Sequence, residues 1–306
     1  MVNPFRPTLG ATPPRAVGRE AFVTHFGLAL DDGPGAHERI TLITGPRGIG
    51  KTVLLNEFED IARQRSWWVI SETATEDFTT RIRDQAQRLI VDQLRPERKR
   101  AVGVQIARVG GASWESAEEF TAQGTLRSVL TELLDLQAER DRRLDQQPVG
   151  VLITLDELHY SRRSDVIEFA TVIQHLVREN REIAVAMAGI PGAVVPLLAD
   201  SDGNSPVTFL RRANRIDLEM VSVAQAREAL VAPLLDGVGS WSADALDVAV
   251  KSTGGYPFMI QLVGQNCLRL SRDGQISATE AAAGVDIARF KLKQLVLEPA
   301  LADLSD

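Results

Sequence analysis

The chain has 306 residues, 44% hydrophobic and 25% charged, with a formal net charge of −7 and a single cysteine, Cys267. These values fit a soluble globular protein of one large or two modest domains, and they count against a basic nucleic-acid binder acting through the chain as a whole. One cysteine excludes an intramolecular disulfide and a cysteine-cluster metal site, and the absence of an apolar leader or a membrane-length apolar run makes a reduced, cytoplasmic compartment the default, with no membrane partner.

Residues 1–15 carry four prolines and little periodicity, which predicts an extended N-terminal arm. Val17-Gly18-Arg19-Glu20 leads into a helical stretch to about Leu30, and Asp31 to Gly35 reads as a loop. The apolar run Ile40 to Thr44 then enters Gly45-Pro46-Arg47-Gly48-Ile49-Gly50-Lys51-Thr52, which fits G-x-x-x-x-G-K-[ST]. A helical pattern begins at Val53 and continues to about Arg65, so the motif has its strand–loop–helix setting. Glycines at these positions let backbone N–H groups turn around an anion, and the helix N-terminus adds its positive end. Lys51 is expected to reach the β- and γ-phosphates, and the Thr52 hydroxyl to hold Mg²⁺.

Trp67 to Ser71 reads as a short strand, and residues 79–94 as an amphipathic helix. Arg95-Pro96-Glu97-Arg98-Lys99-Arg100 is a basic connector, and the alternation of Val102, Val104 and Ile106 suggests an inserted strand or hairpin ending at Gly110-Gly111. A long helix carries Leu126, Val129, Leu130, Leu133 and Leu134 and ends before Pro148. The apolar runs Val149 to Leu155 and Ile183 to Ala188 fit strands buried on both faces of a parallel sheet, separated by a helix over 164–179. This alternation predicts an α/β fold, a three-layer, doubly wound parallel sheet. From about Val221 the chain reads as helices only, at 223–235, 242–251, 256–270 and 277–297. The expected organisation is an α/β domain over 1–220 and a helical domain over 221–306.

Asp156-Glu157 follows directly on the buried strand. A carboxylate at the C-terminal edge of a strand beside the loop strand is suited to holding Mg²⁺, which gives Asp156 that role. Glu157 is suited to orienting and deprotonating the water that attacks the γ-phosphate, which favours hydrolysis over phosphoryl transfer between metabolites. The bland alternative is that both acids only favour the start of the next helix. His159 could approach the γ-phosphate or simply pack, and the remaining histidines lack metal-ligand spacing. Asn214-Arg215-Ile216-Asp217 lacks the lysine of a guanine-recognition string, so adenine is preferred. Arg211 and Arg212, ahead of an apparent strand Ile216-Asp217-Leu218, could stabilise charge on a transferring phosphoryl group from within the chain or from a neighbouring subunit, or form a solvated turn. Gly254-Gly255-Tyr256-Pro257 is, on general grounds, helix punctuation.

Together these residues resemble the AAA+/STAND-type P-loop ATPases (the ASCE branch of P-loop NTPases), in particular the broad group related to cellular replication initiators. The resemblance spans nearly the whole chain. It implies Walker A at Gly45 to Thr52 with Val53 beside it, and Walker B at Val151 to Asp156 with Glu157 as catalytic glutamate. It implies adenine contacts from Val17, Gly18 and Arg19, a lid turn at Tyr256 and Pro257 near the base, and Arg211 or Arg212 as the arginine before the last strand. Two departures stand out: Ala188-Gly189-Ile190-Pro191 occupies the place of a polar sensor, and GGYP stands where many relatives carry a sensor arginine. Both point toward the STAND-like or initiator-like side and slow turnover.

The expected function is an ATP- and Mg²⁺-dependent ATPase switch, in which nucleotide state moves a lid and alters partner binding. A DNA-linked role in replication, transposition or defence is a competing expectation, with Arg95 to Arg100, Arg162-Arg163 and Arg211 to Arg215 as phosphate contacts. Relatives of this kind often continue into a C-terminal winged helix, whereas this sequence stops at Asp306 soon after the last lid helix. A module that holds nucleotide without hydrolysing it is a third expectation. An arginine supplied in trans implies a homo-oligomer.

Overall fold

The computed structural model describes residues 2–8, 10–14, 16–94, 124–192, 194, 210–235 and 237–298. The basic connector Arg95 to Arg100, the expected hairpin around Val102, Val104 and Ile106, and the stretch Leu301 to Asp306 lie outside the described residues.

In chain order the main elements are α1 (Glu20–Asp32), β1 (Ile40–Thr44), α2 (Lys51–Gln64), β2 (Trp68–Thr73), α3 (Phe78–Leu89), α4 (Leu126–Arg143), β3 (Val151–Asp156), α5 (Arg163–Arg178), β4 (Ile183–Gly189) and β5 (Asn214–Asp217). They are followed by α6 (Val223–Val231), β6 (Ser240–Trp241), α7 (Ala243–Thr253), α8 (Pro257–Leu270), β7 (Gln275–Ile276) and α9 (Ala278–Leu292). The first five strands form a parallel sheet in the order β2-β3-β4-β1-β5. Residues Trp68 to Thr73 run opposite Val151 to Asp156, and Val151 to Leu155 run opposite Ile183 to Met187. Strands β1 and β4 are buried at every position, and β3 at every position but Asp156. Burial of both faces explains why these strands read as unbroken apolar runs rather than as alternating ones.

Contacts divide the chain into two compact units, each built from separated segments. One comprises Phe26–Leu42 and Phe58–Arg215; the other comprises Met1–His25, Ile43–Glu57 and Ile216–Asp306. The sequence reading places a boundary near residue 220; the contact-defined units are interleaved along the chain. The reason lies in the second unit's core, where Phe5 and Val17 from the N-terminal arm pack with Leu230, Phe258, Ile260, Val263 and Val285. The arm completes the apolar interior of the helical region, so it belongs with that region despite its position in sequence.

In the first unit, Ile70, Ile153 and Val185 of the sheet pack with Phe78, Ile82, Leu130, Leu133, Phe169 and Ile173 from α3, α4 and α5. Phe78 and Phe169 meet edge to face at 5.6 Å, and Phe26 stacks on Phe58 at 4.1 Å. A buried polar tie joins α2 to β3: Thr154 Oγ1 donates to Glu59 Oε1 at 2.6 Å, and Arg63 Nη2 donates to Glu59 Oε2 at 2.7 Å. This fixes β3 two residues ahead of Asp156.

In the second unit, α6, α7 and α9 each start on a serine whose side chain accepts a backbone N–H: Ser222, Ser242 and Ser277. Gln225 and Glu280 complete reciprocal capping boxes at Ser222 and Ser277. The reading of this region as helices only needs correction, because β6 and β7 pair in parallel across it. Two residues per strand are too few to set up a period-2 pattern, so the pairing leaves no sequence signal.

Candidate nucleotide site

The loop Gly45 to Gly50 joins β1 to α2 within the second unit. Its entry is anchored by Thr44, whose carbonyl accepts from Leu218 N at 2.7 Å and whose hydroxyl donates to Asp217. Gly45, Gly48 and Gly50 all have positive φ, at 155°, 72° and 101°. Positive φ at these positions favours glycine, whose small size lets a ligand approach the backbone amides closely.

Five of the loop's carbonyls accept the following donors. Lys51 Nζ donates to Gly45 O at 2.9 Å and to Pro46 O at 3.0 Å. Tyr256 Oη donates to Arg47 O at 2.7 Å, Arg19 Nη2 to Ile49 O at 3.3 Å, and Leu54 N to Gly50 O at 3.0 Å. The fit at Gly48 is tight: a Cβ there would lie 2.0 Å from Tyr256 Oη. At Gly50 a Cβ would meet nothing within 4 Å, so open space lies beside the glycine that precedes Lys51. Positive-φ glycines, a lysine and the N-terminus of a 14-residue helix meet at this loop, a donor set suited to the phosphate chain of a nucleotide.

Arg19 serves two carbonyls with one nitrogen, reaching Glu219 O at 3.1 Å as well as Ile49 O. Burial lowers the pKa of its guanidinium below the usual arginine value, with Glu20 opposing, and burial raises the Tyr256 phenol above its usual value. Val17 is buried in the helical core, and Gln225 fills the space a side chain at Gly18 would need. Tyr256 is the N-cap residue of α8 and Pro257 its first residue, where a missing N–H is harmless. Of the expected adenine contacts, Arg19 and Tyr256 therefore reach the phosphate loop itself.

The arm before Val17 touches two parts of this unit. Phe5, 2% exposed, lies on Gly264 of α8, where a Cβ would be 2.4 Å from ring carbons. Asn3 Nδ2 donates to Gln265 O at 3.1 Å, and Arg6 N donates to Gln261 Oε1 at 3.0 Å. Further along, Asn56 Nδ2 of α2 donates to Thr12 Oγ1 at 3.1 Å.

The acidic pair lies in the first unit. Asp156 ends β3, its carbonyl accepts from Ala74 N, and its Oδ1 accepts from Glu157 N at 2.8 Å. Glu157 takes a left-handed conformation (φ 57°, ψ 41°) as the chain leaves the strand for the short 3-10 turn Leu158–Tyr160. Its carboxylate is 41% exposed, with His159 Nδ1 3.3 Å from Glu157 Oε2. His159 thus contacts the glutamate, with its own side chain 8% exposed. Strand β4 ends at Gly189, so the place of a polar sensor carries no polar side chain. Arg211 and Arg212 form a 3-10 turn with Leu210 ahead of β5 and are exposed, and the Arg212 carbonyl lies 2.9 Å from His37 Nε2. Arg162 pairs with Glu76. Among the described residues no group of three or more His, Cys, Asp or Glu is arranged to hold a metal, and no helix is long and apolar enough to cross a membrane.

Sequence reasoning missed Glu59, Thr154, Asn56 and Phe5 as supports of these sites. Only Gly264, a glycine inside an apolar helix, gives a sequence hint of the close approach of Phe5.

The AAA ATPase domain model matches residues 15–185. No curated protein matches the chain. Among solved structures, the Walker-type ATPase paby2304 of Pyrococcus abyssi is similar over 97% of this chain and 79% of that one, with a TM-score of 0.60 and 18% identity. Cdc6p from Pyrobaculum aerophilum is similar over 85% of this chain and 64% of its own, with a TM-score of 0.50 and 16% identity. An arginine-to-alanine variant of Thermotoga maritima RuvB is similar over 88% and 69%, with a TM-score of 0.51 and 14% identity. At these identities the likeness is one of fold.

Proposed function

Because the chain belongs to the AAA ATPase domain family, we propose that it binds ATP on the Gly45–Thr52 loop and hydrolyses it to ADP and phosphate. The observation that carries this reading is the loop itself: three positive-φ glycines between a buried strand and a helix, followed by Lys51 folded onto the loop's own carbonyls. In this reading the amides of the loop and Lys51 bind the β- and γ-phosphates, with Val53 following in the first turn of α2. Thr52 and Asp156 would hold Mg²⁺, which supplies charge neutralisation on the phosphate oxygens. Glu157 orients the attacking water and accepts its proton. The Val17-Gly18-Arg19 backbone and Pro257 take the base, and Arg211 or Arg212 stabilises charge on the transferring group, in cis or from a second copy.

The helical region acts as the lid through which nucleotide state reaches a partner. The fold likeness to Cdc6p and RuvB supports a search for DNA among such partners.

The test is ATP binding and phosphate release, with Mg²⁺, by three proteins. The parent binds and turns over. Lys51→Ala loses binding. Glu157→Gln keeps the parent's affinity while turnover falls at least about a hundredfold. Turnover by Glu157→Gln equal to the parent's would remove Glu157 from the chemistry. Activity per subunit that rises with protein concentration supports an arginine donated in trans; a flat profile argues against it.

A further inference from the structure

The side chains of Arg19 and Tyr256, from the two elements whose backbone the family resemblance places near the base, donate to carbonyls of the phosphate loop, and the inference drawn from them rests on the nucleotide reading above. In a trans peptide the C=O and the following N–H point in opposite directions. Tyr256 Oη holds the Arg47 carbonyl, which turns the Gly48 N–H away from Tyr256. Arg19 Nη2 holds the Ile49 carbonyl, which turns the Gly50 N–H away from Arg19. Lys51 does the same for the Arg47 N–H through the Pro46 carbonyl. With glycine at 48 and 50, these peptide planes would otherwise rotate at little cost.

We propose that Tyr256 and Arg19 are positioning residues for phosphate binding: they fix the Arg47 and Ile49 carbonyls and so aim the Gly48 and Gly50 amides at a polyphosphate chain. Neither side chain needs to touch the ligand. Tyr256 sits at the start of α8, and the same Arg19 nitrogen also holds Glu219 O, in the segment between β5 and α6. Orientation of the amide donors is therefore tied to the seating of α6 and α8 on the loop. By linkage, polyphosphate binding favours the seated arrangement by the same factor that seating favours polyphosphate. This assigns the coupling between loop and helical region to the phosphates rather than to the adenine.

The experiment compares ATP, ADP and inorganic tripolyphosphate as ligands of the full chain by titration calorimetry. Tyr256→Phe keeps the aromatic ring and removes one hydrogen bond. It is expected to weaken all three ligands by a common factor of about five. Arg19→Gln is expected to weaken all three by a common factor of about ten, since it releases two carbonyls. Loss confined to ATP and ADP, with tripolyphosphate unchanged, would overturn the inference and return Tyr256 and Arg19 to the base. Parent-like affinities in both Tyr256→Phe and Arg19→Gln would also overturn it. A parent chain that binds neither ATP nor tripolyphosphate would instead overturn the nucleotide reading.

Discussion

The seat of Phe5 on Gly264 makes a prediction whose sign changes with context. A methyl at Gly264 would lie 2.4, 2.4 and 2.6 Å from three carbons of the Phe5 ring, well inside contact distance. Phe5 is 2% exposed, and the backbone of α8 is held by helix packing on both sides, so the ring must leave. Overpacking of this kind costs about 1–3 kcal/mol. Phe5→Ala alone removes a buried ring and costs about 3 kcal/mol. In the double variant the methyl enters space that the ring vacated, and replacing glycine inside a helix by alanine then stabilises by up to about 1 kcal/mol. Gly264→Ala is therefore destabilising in the parent and stabilising in the Phe5→Ala background. Urea unfolding of the four proteins, followed by tryptophan fluorescence, gives the coupling directly. Additive effects, with Gly264→Ala costing the same in both backgrounds, would refute the argument that the ring and the glycine are a fitted pair.

Thr154→Val should cost about 1–3 kcal/mol, because it strips a buried carboxylate, Glu59, of one hydrogen bond while conserving volume; urea midpoints against the parent check it. A Ser222→Ala exchange should cost about 1 kcal/mol through loss of the α6 cap, again read from the urea midpoint. Burial pushes the Cys267 thiol up to about 12, so native protein should resist iodoacetamide at pH 9 and react only once unfolded. The linkage has a definite sign: the folded chain keeps a proton that the unfolded chain releases. The stabilisation is complete below pH 9.0 and lost as pH rises toward about 12, which a Cys267→Ala variant should flatten.

Much of the fold is legible in sequence because burial on two faces leaves unbroken apolar runs. Val151 to Leu155 and Ile183 to Ala188 show this, and the strands observed there shift by at most two residues from the expected limits. The phosphate loop is legible because its backbone needs glycine at fixed intervals, and a requirement on backbone conformation writes itself into the sequence. Packing partners leave no such record. Nothing local to Phe5 says that it will lie against a helix more than 250 residues away, as its neighbour Arg6 does with Gln261. Tyr256 reads as helix punctuation because its contact is with a carbonyl, which every residue possesses. Glu59 reads as one more polar residue on an amphipathic helix, since its partner Thr154 comes from a distant strand.

The engaged carbonyls of the phosphate loop bear on how this architecture could be recombined. Three segments build the unit that contains the loop, and donors to it come from Arg19 before the sheet and Tyr256 after it. A transplant of Gly45 to Thr52 into another scaffold would carry the motif but leave behind two of the groups that hold its peptide planes. A helical region exchanged from a relative would need its own hydroxyl or guanidinium at the matching places. The inheritable module is thus the loop together with its donors, which no single cut in the chain isolates.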